Sequence, residues 1–201
     1  MEIMIVRHGT TLWNEKKKLQ GSVDIELNAA GIEVAQLTAK GMESLSFDRI
    51  YSSPLKRAYK TAEIIRDKRD IPIITDERLK EINFGNYEGK NGLALQEDQT
   101  SGFRFFFKEP EKYYADGGEE LTQLCQRTKE FLQREIEPLK GRCDRILIVG
   151  HGAMNKAMMC HILNHGLEQF WSGGLQKNCG VIILRLDDKG YHLIEENAVF
   201  Y

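Results

Sequence analysis

Two short stretches that end in His-Gly are the parts of this sequence best suited to chemistry. The first reads MEIMIVRHGT over residues 1–10, and the second reads DRILIVGHGA over residues 144–153. Each is an apolar run typical of a buried strand. Because open α/β folds bind ligands at the carboxyl ends of their strands, we expect His8 and His151 to lie at one sheet edge, with Arg7 beside them. An imidazole can attack phosphorus and a guanidinium binds phosphate oxygens, so the two stretches predict a phosphate-handling site.

The rest of the sequence predicts the elements that position these residues. Apolar runs predict strands at 2–6, 48–51, 71–75 and 145–149, and a closing hairpin of VIILRL and YHLIEE that turns over Asp187–Gly190. Helical spacing predicts helices at about 29–43 with Asn28 as cap, at 55–68 after a Ser53-Pro54 start, at 119–139 and at 153–163. Alternating strands and helices indicate a three-layer α/β/α sandwich with a mainly parallel central sheet.

Length and composition exclude several classes of protein. At 201 residues the chain fits a single domain over 1–201, with residues at about 85–118 forming an excursion that caps the site. A net charge of −2 argues against a nucleic-acid partner. The apolar runs are too short to cross a membrane and no signal peptide is recognisable, so a cytoplasmic location is expected. The four cysteines contain no CxxC and are expected to be reduced.

A series of motifs runs through the chain in a fixed order. The series comprises Arg7-His8-Gly9-Thr10-Thr11-Leu12-Trp13-Asn14, Leu19-Gln20-Gly21, Leu27-Asn28-Ala29-Ala30-Gly31, Ser52-Ser53-Pro54-Leu55-Lys56-Arg57-Ala58, Leu79-Lys80-Glu81 through Glu88-Gly89, Gly118-Glu119 and Val149-Gly150-His151-Gly152. Together they resemble the histidine phosphatase superfamily, in its phosphoglycerate-mutase-like branch, and in particular its α-ribazole phosphatase and broad-specificity phosphatase members. Each motif alone is weak, whereas the ordered series is specific.

The residues themselves and the resemblance both suggest roles. His8 is the expected nucleophile, because its neutral form is available near pH 7, and Arg7 lies beside it to bind phosphate. Taken alone, Arg57 is equally compatible with a solvated helix charge; the resemblance makes it the second arginine of a phosphate clamp. Protonated His151 is expected to donate to the phosphoryl oxygens.

The first loop is expected to supply further phosphate contacts. Asn14 would contribute its amide N–H, and the resemblance adds Gln20 and Gly21. Thr11 would contribute its hydroxyl, or would instead form a turn that bonds its own backbone.

Glu81 is the expected general acid, since the leaving alkoxide must be protonated as its P–O bond breaks. This role is implied by the resemblance, because an isolated Glu81 would more often be a solvated charge. Glu88 is a nearby competitor that is better interpreted as structural.

Residues 90–118 contain an aromatic cluster, namely Phe103, Phe105, Phe106, Phe107, Tyr113 and Tyr114. These side chains either line the leaving-group site or form the buried face of a helix, and spacing does not separate the two. His161 and His165 have the spacing of a helical metal pair, but no further ligands complete it, so no metal and no cofactor are expected.

The resemblance implies a metal-independent phosphomonoesterase that acts on a small phosphorylated metabolite and exists as a monomer or homodimer. The alternative is a 2,3-bisphosphoglycerate-dependent phosphoglycerate mutase. Mutases of this kind usually have Glu where this chain has Thr10, and a longer, more basic insertion after the acid segment, so both departures favour hydrolysis. A non-catalytic phosphate-binding module is the alternative from another class, and the complete set of expected catalytic residues speaks against it.

Overall fold

A six-stranded sheet forms the centre of the computed structural model, which describes residues 1–201. The strands are β1 (Glu2–Arg7), β2 (Arg49–Ser52), β3 (Ile73–Thr75), β4 (Arg145–Gly150), β5 (Val181–Asp187) and β6 (Gly190–Ala198). They lie in the order β3-β2-β4-β1-β5-β6. The first four strands of this order are mutually parallel, and β5 and β6 form an antiparallel hairpin at one side. The mainly parallel sheet and the terminal hairpin are therefore confirmed.

Helices cover both faces of the sheet. They are α1 (Leu12–Glu15), α2 (Ala29–Gly41), α3 (Lys56–Arg66), α4 (Gly92–Glu97), α5 (Leu121–Phe131) and α6 (Gly152–Leu163). Side chains alternate along β1, so that Ile3 and Ile5 pack into one hydrophobic core while Met4 and Val6 pack into another. The first core includes residues of α5 and α6, and the second includes residues of α3. Burial on both faces explains why the central strands read as unbroken apolar runs.

The register of the parallel strands brings the predicted site residues to one edge. Arg7 at the end of β1 pairs with Gly150 at the end of β4. Ser52 at the end of β2 pairs with Val149 of β4. The residues that follow these strands, including His8 and His151, therefore leave the sheet side by side.

The start of α3 differs from the prediction. The helix begins at Lys56, and Ser53 and Pro54 precede it as non-helical residues. The carboxylate of Asp24, from the first loop, accepts a hydrogen bond from the backbone N–H of Lys56 at 2.7 Å. A distant residue thus caps the first N–H of α3, whereas the Ser53 hydroxyl accepts from Leu55 N–H at 3.3 Å and is also hydrogen-bonded to His151.

The predicted helix at 119–139 is also shorter than expected. It begins at Leu121, ends at Phe131, and continues as a π-helical turn over Leu132–Ile136 and a 3-10 turn over Glu137–Leu139. Pro138 lies in that final turn and has no N–H to continue the α-helical ladder. Glu119 consequently lies before the helix, where its side chain pairs with Arg127 of α5.

Residues 85–118, which were hard to assign from the sequence, contain little regular structure. Apart from α4 they contain short 3-10 turns at Gly85–Tyr87, Gly102–Phe105 and Pro110–Lys112. Phe103 and Phe106 belong to the larger hydrophobic core, which ties this segment to the sheet layer beneath it. None of the helices combines the length and apolar character needed to span a bilayer.

Candidate active site

His8 follows β1 and is held in one tautomer by the backbone. Its Nδ1 lies 2.6 Å from the carbonyl oxygen of Gly9. A carbonyl can only accept, so Nδ1 carries the proton and Nε2 keeps its lone pair. Burial, together with the charges of Arg57 and Arg7, lowers the pKa of His8 well below its ordinary value of 6.5. His8 is thus neutral at pH 7, with one ring nitrogen free to act as a nucleophile.

Arg7 and Arg57 place two guanidinium groups beside this ring. Arg7 Nη1 donates to the carbonyl of Gln176 at 2.6 Å. Arg57, in the first turn of α3, is fully buried. Its Nη1 donates to the carbonyl oxygen of Val23 at 2.8 Å, and its Nη2 donates to that of Gly21 at 2.7 Å. These backbone contacts fix the orientation of both side chains without neutralising their charge.

Burial is also the main influence on the two guanidinium groups. It lowers the pKa of Arg7, and it lowers that of Arg57 to about 10, while the negative charge of Glu81 acts in the opposite direction on both. Both arginines therefore stay positively charged near neutral pH. Two buried cations in a cavity whose lining contains one carboxylate, Glu81, form a site that favours a dianion.

His151 follows β4 and stands immediately before α6. It is completely buried, its Nε2 lies 2.8 Å from Ser53 Oγ, and its ring centroid is 5.2 Å from that of His8. Burial, followed by the charges of Arg57 and the neighbouring groups, lowers the pKa of His151 well below 6.5. In the free site the ring is therefore neutral and can donate from one nitrogen only, whereas donation by protonated His151 to a bound phosphoryl group stays a prediction.

Several buried polar atoms at this edge lack a hydrogen-bond partner within the protein. They include Arg7 Nε, Arg57 Nε and His151 Nδ1. If Ser53 donates its hydroxyl proton to His151 Nε2, Nδ1 is a donor like the two arginine nitrogens. Buried donors without acceptors are costly unless a ligand satisfies them. The two arginine nitrogens are donors in any case, so this edge of the sheet suits an anion.

The side chain of Glu81 reaches the start of α6. Its Oε1 accepts from the backbone N–H of Ile82 (2.9 Å) and Met154 (2.9 Å), and its Oε2 accepts from Ala153 N–H (3.1 Å). The carboxylate thus binds the N-terminal end of α6, where helix N–H groups favour negative charge. This arrangement fixes both oxygens within the cavity that also contains His8 and the two arginines.

Thr11 does not take part in the site as expected. Its side chain is buried and outside the cavity lining; it caps α1 by accepting from Asn14 N–H at 3.2 Å and donates to Asn14 Oδ1 at 3.0 Å. The local turn therefore takes up the hydroxyl, and the phosphate-binding prediction for Thr11 is wrong. Asn14 lines the cavity, and because its Oδ1 is occupied by Thr11, its amide N–H groups are the ones available to a ligand.

Gln20 and Gly21 also line the cavity. Gly21 has φ +53°, and a Cβ at this position would lie 2.1 Å from Glu88 Oε1, so only glycine fits. Glu88 Oε1 accepts from the backbone N–H of Ser22 at 2.8 Å and of Phe84 at 3.1 Å. Glu88 therefore packs behind the Gly21 loop and outside the cavity lining, as its structural interpretation predicted.

The cavity has a volume of about 260 Å³ and a partly apolar wall. Of the aromatic cluster in residues 90–118, only Phe106 and Phe107 line it. Phe103 and Tyr113 are buried in the core, whereas Tyr114 is half exposed. Both interpretations of the cluster thus apply, and Phe106 fits both, because it lines the cavity and also belongs to the core.

Several lining residues were not identified from the sequence. Trp171 and Leu175 come from the segment after α6, and Lys17, Lys18, Leu93 and Gln96 come from the first loop and α4. Trp171 contacts Phe107 with ring centroids 4.8 Å apart. An available signal was the Trp-Ser-Gly-Gly-Leu stretch, in which large apolar side chains flank a flexible turn in a loop after the second histidine.

The helical histidine pair does not form a metal site. His161 Nε2 lies 3.0 Å from a carboxylate oxygen of Glu137 and takes part in packing α6 against the turn after α5. Nowhere in the structure do three or more His, Cys, Asp and Glu side chains form a group that could hold a metal ion.

Comparisons with known proteins agree with this geometry. The model of the histidine phosphatase superfamily (branch 1) matches residues 3–199. Phosphoserine phosphatase 1 of Hydrogenobacter thermophilus is 31% identical over 198 residues, covering 98% of this chain and 92% of the relative. The 2,3-bisphosphoglycerate-dependent phosphoglycerate mutase of Cytophaga hutchinsonii is 34% identical over 162 residues, covering 80% of this chain and 76% of the relative. The solved structure of Bacillus stearothermophilus YhfR superimposes with a TM-score of 0.90 at 33% identity, covering 98% and 97% of the two chains.

Proposed function

The chain belongs to the histidine phosphatase superfamily, and we propose that it is a metal-independent phosphomonoesterase that hydrolyses small phosphorylated metabolites through a phosphohistidine at His8. The observation that carries the proposal is the group of buried, unpartnered donors on Arg7, Arg57 and His151 beside a neutral His8. This arrangement suits a phosphoryl group better than a neutral ligand, because each donor needs an acceptor and both arginines need an anion.

In the first half-reaction, His8 Nε2 attacks phosphorus and a P–N bond forms as the P–O bond to the alcohol breaks. The proton of Nδ1 stays on the imidazole, held by the Gly9 carbonyl. Arg7 and Arg57 bind the equatorial oxygens, where most of the stabilisation of phosphoryl transfer arises. Glu81 donates a proton to the leaving oxygen, and the alcohol departs neutral.

Glu81 must take up that proton when the substrate binds. In the free site its oxygens accept from backbone N–H groups at the start of α6, an arrangement that suits the carboxylate. A dianionic phosphate placed beside it disfavours a second negative charge, so the proton that Glu81 later donates enters the site with the substrate.

In the second half-reaction, water attacks the phosphohistidine and Glu81 accepts a proton from that water. The P–N bond breaks, inorganic phosphate forms, and neutral His8 is restored. Splitting one displacement into two reuses the same oxygen-binding groups in both steps. No group outside the chain and water is needed for the atoms and charges to balance.

The leaving group would occupy the part of the cavity lined by Phe107, Trp171 and Leu93, opposite the phosphate-binding residues. A volume of about 260 Å³ suits a small metabolite with some apolar surface. Lys17 and Lys18 line the same cavity and tolerate negative charge on the substrate.

The mutase is the second candidate, because a phosphoglycerate mutase is among the relatives. Mutase activity requires the phosphohistidine to be attacked by a second substrate hydroxyl in place of water. Thr10 does not line the cavity. The segment after Glu81 contributes apolar side chains to the cavity wall, and this apolar wall favours hydrolysis over mutase activity.

The test is phosphate release from a panel of phosphomonoesters in the presence of EDTA. The panel contains phosphoserine, 3-phosphoglycerate, sugar phosphates, nucleoside monophosphates, α-ribazole 5′-phosphate and an aryl phosphate, with His8→Ala as control. Release that depends on His8 and withstands EDTA is expected. Isomerisation of 3-phosphoglycerate with added bisphosphoglycerate, without release from any compound, would establish the mutase and overturn the proposal.

A further inference from the structure

Arg127 of α5 uses all of its donors on the segment that carries Glu81. Its Nε donates to Glu119 Oε1 at 2.6 Å, and its Nη2 donates to Glu119 Oε2 at 2.9 Å. Its Nη1 donates to the carbonyls of Arg78 (2.6 Å) and Lys80 (2.7 Å), and Nη2 also donates to that of Glu81 (3.2 Å). A guanidinium has five N–H groups, and here each has an acceptor.

The backbone carbonyls of this segment have few other hydrogen-bond donors. Lys80 and Glu81 lie between a 3-10 turn and the next turn, outside any helix or strand, and their carbonyls receive no backbone N–H. Arg127 supplies the missing donors. Glu119, which precedes α5, completes the contact by pairing with Arg127 and by accepting from Asn83 N–H at 3.2 Å.

Glu81 is therefore held from two sides. Its side chain is fixed by the N–H groups at the start of α6, and its backbone is fixed by Arg127 from α5. Arg127 and Glu119 are mostly buried, with 21% and 16% of their side chains exposed, so solvent screens their pairing only in part. Neither residue is in the lining of the cavity that contains His8.

We propose that Arg127, paired with Glu119, is a positioning residue for the proton transfer by Glu81. It does not touch the substrate, and its contacts act on the place of the carboxyl group. This inference rests on the proposed function. It goes further by assigning the position of the Glu81 carboxyl group to the Arg127–Glu119 ion pair, which lies outside the cavity lining. Small displacements of a catalytic group are costly: a 1 Å misplacement can reduce a rate by about 100-fold.

The test compares substrates that differ in their need for a proton. Alkyl phosphates need protonation of the leaving oxygen, whereas nitrophenyl phosphate needs little. In Arg127→Lys and in Glu119→Gln, we expect kcat for alkyl phosphates to fall by about ten-fold or more, with a loss of about two-fold or less for nitrophenyl phosphate. A merely structural role would reduce the active fraction and lower both rates equally.

Arg69→Ala is the matched control. Arg69 likewise donates to a set of backbone carbonyls, those of Leu45, Ile65, Arg66, Met42 and Glu43, but it lies away from the cavity. The Arg69→Ala substitution should lower stability without changing the ratio of the rates on alkyl phosphates and nitrophenyl phosphate. Thermal unfolding and circular dichroism of all variants establish that each is folded at the assay temperature.

A second comparison uses Glu81→Gln as background. If Arg127 acts through Glu81, then Arg127→Lys added to Glu81→Gln should cause no further selective loss on alkyl phosphates, since the two changes share one effect. Equal losses on both substrate types, or a selective loss that persists in the Glu81→Gln background, would overturn the proposal. If the unaltered protein hydrolyses no phosphomonoester, the proposed function fails instead, and the two failures are thus distinguishable.

Discussion

At the scale of single residues, the site combines charges that are fixed with imidazoles that are neutral. Arg7 and Arg57 lower the pKa of His8, and burial acts in the same direction, so the ring stays unprotonated. The Gly9 carbonyl then decides which nitrogen keeps the proton. The cations proposed to bind the phosphate thus also keep the proposed nucleophile neutral, which would couple binding to reactivity.

Glu81→Gln tests the assignment of the acid. Glutamine preserves the shape of the side chain but cannot donate an acidic proton to a leaving alkoxide. We expect kcat/KM for alkyl phosphates to fall by about 100-fold or more, whereas nitrophenyl phosphate, whose leaving group is a weak base, should lose far less. The measurement is a plot of rate against leaving-group pKa, which should become steeper in the variant.

Glu88→Gln is the control for that measurement, because Glu88 is the neighbouring carboxylate that the cavity lining does not include. An unchanged slope in Glu81→Gln, or a steeper slope in Glu88→Gln, would move the acid role away from Glu81.

From the strand pattern alone, residue positions were predictable at strand ends and not in loops. His8 and His151 could be placed together because each follows an apolar strand, and the register brings them side by side. The hydroxyl of Thr11 could not be placed, because its use depends on where Asn14 folds back onto it. Arg127 gave no signal, since the carbonyls it binds are those of residues 78, 80 and 81, far from it in sequence.

At the scale of elements, the site is built from the ends of β1, β2 and β4 and the starts of α3 and α6. The sequence predicted these strands well, since burial on both faces leaves continuous apolar runs. Helix ends were harder to predict. The first N–H of α3 is bound by Asp24, a residue that local capping patterns do not include.

Asp24→Ala tests this long-range cap. Loss of a helix cap typically costs about 1 kcal/mol of folding free energy, so the free energy of unfolding in urea should fall by about that amount. Glu26→Ala is the matched control, because Glu26 pairs with Lys56 through a fully solvated contact, with 76% and 59% of the side chains exposed. The control should be nearly neutral, since such pairs contribute little. Equal effects of the two variants would show that Asp24 is no cap.

At the scale of the whole molecule, the site makes stability depend on pH. His8 and His151 are buried and neutral when folded, and their pKa values lie well below 6.5. In the unfolded chain both titrate near 6.5, so as the pH falls through that value the unfolded state binds protons that the folded state does not. Stability is therefore fully present above about pH 6.5 and is lost as the pH falls below it.

The expected slope is up to about 1.4 kcal/mol per pH unit for each of the two histidines. The measurement is the free energy of unfolding in urea between about pH 7 and pH 5, in buffers without phosphate, because a bound anion would itself stabilise the fold. Carboxylates with lowered pKa values, such as Asp48 and Asp76, titrate below their ordinary 3.8 and act outside this range.

His8→Asn should reduce the slope by about half, since one of the two buried imidazoles is removed. A slope equal to that of the unaltered protein would mean that His8 does not carry the depressed pKa.

The larger architecture was within reach of the sequence because its signals are local and repeated along the chain. The cavity wall was not, because Trp171 and Leu175 come from an irregular segment whose path depends on distant contacts. One such contact is made by the buried Lys156, whose Nζ donates to the carbonyl oxygen of Ser172 at 2.5 Å. The part of the site proposed to bind phosphate is thus set by strands, and the part proposed for the leaving group is set by loops.

The central claim is that His8 carries the phosphoryl group, and rapid mixing tests it most directly. The protein is mixed with a phosphomonoester labelled in its phosphoryl group and quenched in alkali on the millisecond scale, because phosphohistidine is labile in acid. Peptide mapping then locates the label. The account predicts a label on His8 that forms before phosphate is released and is absent from His8→Ala. Turnover without a labelled histidine at any time, or a label on another residue, would contradict it.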